Sequence, residues 1–525
     1  MRWCKQVCIG LTALLCFDSL HAQRVLYSSF SDFHSVTHFE VAGKAGDYYW
    51  VERENQPFSF RRPALTAQEQ SFEIYDSRLN PVKTIVTAER RDNELKEYLI
   101  CSSRYFDRLI LKAGPENTVL SLDRYTPDGT ALYEGSRIVG NFPLSESGNN
   151  FLMARSEDQS KLLVLFFQPI PSSPPRIHAI LFDSEWQQLD YSQYDHPFLT
   201  QPLLQEEVVN YPIENFNSAP LKLANNGQWL MLSPSRINYN YLLFNFNSKS
   251  KGKDNGFIFK EIPLPASSVT EDLSLTIDNE KATALAAVLS KFRYPALKNV
   301  EIIRYSFAEK EIDFDSAYRF STLAGAQLKN ENLVHESLIG VPKKGFMLLK
   351  EYGRTFEPSY DDVLYQNPWD IEALYTNVSV TNIHELPSIN RDGYTRLSRL
   401  GAIRGIFDRG DLNLFYFPAI KGDSCWSGMI NKEQATELNS PYLSYFTLPV
   451  NDRIFFFYNS FFGSRGQFGS TTILDDQGNL QTEGGGAFWK FNNILDFQQS
   501  QQISDNEVAI PYANSRRKGF AIIRF

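Results

Sequence analysis

Cysteine, methionine and runs of basic charge are what this chain has least of. Only five of its 525 residues are cysteine and five methionine. Cys4, Cys8 and Cys16 sit at the very start, which leaves Cys101 and Cys425, too few and too far apart for a disulfide framework. In an oxidising compartment the two could pair; buried free thiols acting as small hydrophobes are the expected reading. Lysine and arginine number 52 against 61 aspartate and glutamate, a net charge of −9 without basic clusters. That balance argues against nucleic acid as a partner. A glycine-rich phosphate loop is missing as well, since "TEGGGAFW" at Gly484–Gly486 precedes an aromatic segment instead of opening a helix and reads as a link between sheets.

The first 23 residues, MRWCKQVCIGLTALLCFDSLHAQ, place Arg2 and Lys5 before an apolar stretch from Val7 to Phe17, followed by Ser19, His21 and Ala22. This is the layout of a secretory signal peptide, with cleavage expected near Ala22 or Gln23. Its apolar core is too short to span a bilayer, so no membrane span is expected in the mature chain. Leu15 stands before Cys16 where lipidation would need a small residue. Loss of Arg2, Lys5 and Asp18 moves the net charge from −9 to about −10.

What the chain has in abundance is aromatic residues, 14% of the total with 40 Phe and 26 Tyr, which favours strands over helices. One plan recurs along it: a strand-like lead, a polar turn, then an apolar strand. "KLANNGQWLMLSP" turns at Asn226 and Gly227, "ARSEDQSKLLVLFFQ" at Asp158 and "LTIDNEKATALAAVL" at Asp278, with further transitions after Lys44 and at Lys343, Asp408 and Asn451. A second hairpin usually follows 20 to 35 residues later. Its turns are read at Asp76 and Asn80, at Asp128 and Gly129, at Asp183, and at Asp476 and Gly478.

Two hairpins per period make a four-stranded antiparallel sheet, and such sheets bury their faces by stacking around an axis. The chain is therefore read as all-β: a single β-propeller of seven or eight four-stranded antiparallel blades over residues 24–525. Blades are expected near 33–90, 93–140, 150–195, 220–265, 272–325, 333–433 and 440–487, with a long excursion at about 352–400. The strand "RVLYSSF" after the signal is expected to join "NEVAIPYA" and "KGFAIIRF", so that N- and C-terminal strands close the ring and remove its edges. An outer-membrane barrel is the alternative, suggested by terminal Phe525 and the alternation in "GFAIIRF". Strands apolar on both faces, such as "KLLVLFF" and "RIFFFYN", favour stacked sheets instead.

The opening turn-strand units loosely resemble bacterial propeller repeats of the TolB and WD40-like type, although none has the full Pro-Asp-Gly-Lys turn. In the C-terminal third, "GFMLLKEYG", "SCWSGMINKEQ", "DRIFFFYNS", "LDDQGNL" and "SDNEVAIPYANSRRKGFAIIRF" resemble, in order, a group of uncharacterised secreted β-propeller-like proteins of Gram-negative bacteria. The resemblance implies a propeller and carries no activity with it.

Chemistry-bearing residues are scattered. His34 and His38 in "HSVTH" have the spacing of two metal ligands on a helix, but in a strand it separates them by about 13 Å, so no metal site is expected. Ser424 in "GDSCWSG" lacks the second glycine of a nucleophile elbow because Trp426 occupies that position, which leaves a turn before a strand. No cofactor is implied. The aromatic clusters "NPWD" and "GGGAFWKF" offer Trp369, Asp370, Phe488 and Trp489 as candidate ligand-binding residues, able to stack on sugar rings or anchor a protein. The function expected is that of a secreted, non-catalytic propeller that binds an extracellular ligand or protein partner, a glycan among the candidates, through loops on one face. The alternative is an extracellular carbohydrate-active hydrolase or lyase with carboxylates such as Asp361, Asp362, Asp370 and Glu372 near the centre.

Overall fold

Hydrophobic residues at successive positions, as in Leu162–Phe167, leave a strand with no solvent face, so each sheet must be covered on both sides. The computed structural model meets that demand with sheets stacked around an axis. It describes residues 24–524 apart from the connections 56–68, 88–93, 145–150, 196–220, 235–240, 247–256, 263–267, 293–297, 320–332, 357–405, 437–444, 462–466, 484–493 and a few isolated positions. Within these residues the structure is all β, in eight antiparallel sheets. Seven are folded from consecutive strands, here blades 1 to 7, over 36–86, 94–143, 151–195, 221–262, 268–319, 333–436 and 446–483. These limits lie within a few residues of those expected for most blades. Separate sheets exclude the single closed sheet of an outer-membrane barrel, and among the described residues no helix is long and apolar enough to cross a membrane.

The eighth sheet is built from both chain ends. Arg517–Arg524 lies between Glu507–Asn514 and the N-terminal strand Arg24–Tyr27, in the register Arg24↔Arg524 through Tyr27↔Ala521. Beyond the strand the closure continues: Ser28 donates its N–H to the Phe520 carbonyl at 3.0 Å, and its carbonyl accepts the Tyr512 hydroxyl at 3.0 Å. The ring is therefore closed by the N- and C-terminal strands, as expected.

Hydrophobic clusters fill the spaces between adjacent sheets. "KLANNGQWLMLSP" shows how. Leu221–Leu223 pairs with Trp229–Pro234, and along the second strand Trp229 and Met231 face blade 3 while Leu230 and Leu232 face blade 5. The first strand of each blade lies innermost. Ser156 of blade 3 and Leu223 of blade 4 form a parallel bridge, and the inner strands of blades 5 and 6 approach so closely that a Cβ on Gly340 would come within 2.1 Å of Thr276 Cγ2.

The recurring turn has one backbone geometry. At Asp76, Thr126, Ser156, Asp183, Ala224 and Asp475 the carbonyl accepts the N–H three residues on. That fourth residue has positive φ in every case: Leu79, Gly129, Gln159, Trp186, Gly227 and Gly478. In five of the six this is the three-residue hairpin loop, a tight turn followed by a left-handed residue, whereas the turn from Ser156 to Lys161 holds four residues. The side chain at the first position often caps it, as where Asp76 Oδ1 accepts the N–H groups of Arg78 and Asn80 at 2.8 and 2.9 Å. In blade 7 the capping carboxylate is Asp475, which accepts from Gln477 and Asn479, rather than the expected Asp476.

Candidate ligand-binding end of the ring

The two ends of the ring are built differently. Connections between first and second strands, all at one end, are two to five residues long, and those between third and fourth strands at the same end run from four to eleven. At the opposite end lie the connections between second and third strands and between blades. They include 56–68, 196–220, 320–332 and 357–405, the last inserted between the paired positions Phe356 and Ile406 of blade 6.

The short-turn end is latched from blade to blade. Arg124 makes a bidentate pair with Asp107 at 2.8 and 2.9 Å and reaches the Ser184 carbonyl and Glu185 of blade 3. Trp186, in its left-handed turn, donates Nε1 to Asp107 Oδ2 at 2.8 Å. Between the eighth sheet and blade 1, buried Glu507 takes Lys44 at 2.8 Å and Arg524 at 2.7 Å and accepts the Tyr49 hydroxyl. Charges this well satisfied hold an arrangement rather than await a ligand.

Further from those turns the interfaces change character. Between blades 1 and 2 the apolar layer of Trp50, stacked at 3.9 Å on Phe106, gives way to Arg108, which pairs with Glu97 and donates to Gln70 at 2.9 Å, with Asp123 at 3.6 Å. Between blades 5 and 6, Glu336 pairs with Lys298 and with Lys350 at 3.0 Å. Burial alone would raise the Glu336 pKa, but Lys350 and Lys298 outweigh it and hold the carboxyl below its usual range. Between blades 6 and 7 the wholly buried pair Glu351–Lys432 lies beside Tyr445, whose hydroxyl is 3.1 Å from Ser337 Oγ. In blade 3, His178 bridges Tyr191 at 2.8 Å and Gln168 at 2.9 Å. Sequence reasoning missed all of these, because each depends on how strands pair within a blade or on which blade faces which.

The candidate residues Trp369, Asp370, Phe488 and Trp489 lie outside the described residues, as do His34, Asp361, Asp362 and Glu372. Their connections, 357–405 and 484–493, both leave and rejoin the ring at the end away from the short turns. His38 is in strand Val36–Ala45, with no helix to bring it onto one face with His34. Ser424 is exposed in the turn before Trp426–Ile430, and Trp426 stacks on Tyr416 at 5.5 Å. Cys101 and Cys425 are free and partly buried, and burial pushes the Cys101 thiol up to about 12, which makes it unreactive at neutral pH. Among the described residues no group of three or more His, Cys, Asp or Glu is arranged to hold a metal.

No protein-family model matches the chain, and no curated protein matches it in sequence. Solved structures are similar to it at low identity. They include the Dos1 propeller (8% identity, 95% of this chain and 94% of that one, TM-score 0.42) and the β-propeller domain of the Trilobed protease from Pyrococcus furiosus (9%, 86% and 96%, TM-score 0.32). An oligogalacturonate lyase in complex with manganese is similar over 62% of this chain and 78% of its own at 10% identity and a TM-score of 0.29. The chain itself is a β-propeller.

Proposed function

We propose that this protein is an exported, non-catalytic propeller that binds an extracellular ligand through the long connections at one end of its ring, with Trp369 and Asp370 in one connection and Phe488 and Trp489 in another. The observation that carries this reading is the asymmetry of the ring. One end is shortened and latched; the other bears the long connections and the ionisable layers beneath them. Loops set on a rigid scaffold are where binding residues concentrate. Aromatic side chains next to a carboxylate suit a glycan, whose ring faces stack while its hydroxyls donate.

A glycan microarray probed with the full-length purified protein tests this. Binding to a defined glycan class is expected, weakened about tenfold or more by Trp369→Ala/Asp370→Ala or by Phe488→Ala/Trp489→Ala. Binding undiminished by both pairs would remove these residues from the site. Turnover of a polysaccharide, abolished by one carboxylate substitution, would replace the reading with an enzyme.

A further inference from the structure

His178 sits where one added proton undoes the bonds around it. It lies on the third strand of blade 3, Ser173–Asp183, only 6% exposed, with the Phe166 ring 5.6 Å away. Both ring nitrogens are used, and their partners fix the tautomer. Nε2 is 2.9 Å from Gln168 Oε1, an oxygen that can only accept, so Nε2 carries the proton. Nδ1, 2.8 Å from the Tyr191 hydroxyl, is left to accept from it. Tyr191 belongs to the outermost strand, Gln188–Asp195, and its hydroxyl has a second neighbour. Arg176 Nε and Nη1, both 3.0 Å from the Gln193 carbonyl oxygen, hold that amide so that its Nε2 meets the Tyr191 hydroxyl at 3.4 Å. One relay therefore runs from Arg176 through Gln193, Tyr191 and His178 to Gln168, with every hydrogen pointing the same way, and it ties the outermost strand to the two strands inside it.

A second proton on the ring breaks that order. Nδ1 becomes a donor, so the Tyr191 hydroxyl meets donors from both His178 and Gln193 and must turn its own hydrogen out to solvent. Gln193 cannot present its oxygen instead without leaving Arg176. Among the described residues that turn to this face, cations outnumber carboxylates. From blade 2 they are Lys96, Tyr98 and Arg137, in register with Leu111, Leu109 and Leu122 of the cluster that packs on blade 3. Within blade 3 they are Arg176, Tyr191 and Arg155, the last committed to the Cys101 carbonyl. Asp195 stands opposite Arg176 at the end of the pairing, while Asp190 is paired with Leu181 and lies on the other face. A buried imidazolium here gains little and loses a hydrogen bond.

We propose that His178 is an acid-sensitive clasp for the outermost strand of blade 3. Neutral, it holds Tyr191 and with it Gln188–Asp195 on the sheet; protonated, it releases Tyr191 and loosens that strand. Release uncovers the pairing edge of Ser173–Asp183, which the outermost strand otherwise covers from Arg176 to Phe182. The clasp rests on blade 3 and stands or falls separately from the glycan reading.

Hydrogen–deuterium exchange of the full-length protein, read by peptide mass and corrected for the intrinsic pH dependence of exchange, tests it. Between about pH 7.5 and about pH 5, amides of Gln188–Asp195 are expected to lose protection about tenfold or more. The outermost strands Pro81–Val86 and Arg137–Pro143, which hold no histidine, serve as controls and are expected to keep theirs. His178→Gln keeps a neutral donor and acceptor and should hold the strand equally at both pH values. Tyr191→Phe, at a half-exposed position, removes the hydroxyl caught between two donors and should also flatten the response, so the test survives a His178→Gln that does not fold. Protection of 188–195 that persists at pH 5, an equal loss in the two control strands, or an acid response undiminished in the variants would overturn the proposal.

Discussion

Glu301 shows how a single side chain ties this fold to pH. It is buried on the third strand of blade 5, and burial, reinforced by the Asp315 carboxylate, raises its pKa from 4.5 to about 7. Between those values the folded protein keeps a proton that the unfolded chain has lost, so stability falls as pH rises through the window and the loss is complete above pH 7. Two and a half pH units correspond to roughly 3 kcal/mol. Glu301→Gln is therefore expected to match the parent near pH 5 and to exceed it by roughly 2–3 kcal/mol at pH 8 in urea denaturation. An equal difference at both pH values would show that Glu301 ionises normally. At this scale the sequence is a partial guide. Asn226 and Gly227 could be read as a turn because glycine tolerates positive φ, yet the same geometry at Leu79, Gln159 and Trp186 has no such signature. Trp186 holds it because Asp107 of the neighbouring blade fixes its indole.

Blade 6 is the element in which a long insertion meets a regular sheet. Its second and third strands, Gly345–Phe356 and Ile406–Pro418, pair from Gly345↔Pro418 to Phe356↔Ile406 with one bulge, so residues 357–405 leave and rejoin the sheet at adjacent positions. Phe346, Met347, Leu348 and Leu349 of the second strand are all fully buried. The stability of this blade lies in those contacts, and long loops cost little in closure entropy. Replacing 357–405 by a two-residue turn is expected to leave the sheet-rich circular dichroism spectrum and the melting temperature within a few degrees of the parent, while glycan binding is lost. A collapse of the fold would make the insertion part of the core. The blades themselves were legible because strands apolar on both faces alternate with polar turns at intervals that suit one sheet. The expected excursion at 352–400 began too early, since Tyr352 to Phe356 still belong to the second strand. Polar residues such as Arg354 and Thr355 disguise a strand end that is recognisable only from its pairing with Asp408 and Phe407.

For the whole molecule, closure is the decisive step. Phe520, Ala521, Ile522 and Ile523 of the last strand are buried, and Arg524 joins Glu507 and Tyr49 at the seam with blade 1. The larger of these side chains each contribute about 1.5–3 kcal/mol on burial. A chain ending at residue 516 loses them, strips the partner from Arg24–Tyr27 and exposes the edge of Glu507–Asn514. It is expected to aggregate on size-exclusion chromatography, and a soluble monomer with unchanged melting temperature would show that the ring does not depend on its last strand. The sequence by itself determined the all-β class, the spacing of the blades and the joining of the chain ends, because alternation, turn residues and two-faced apolar strands are local properties. Only the tertiary structure decided which charges meet between blades and which residues adopt left-handed turns. Those depend on contacts between residues tens to hundreds of positions apart, which local pattern does not encode.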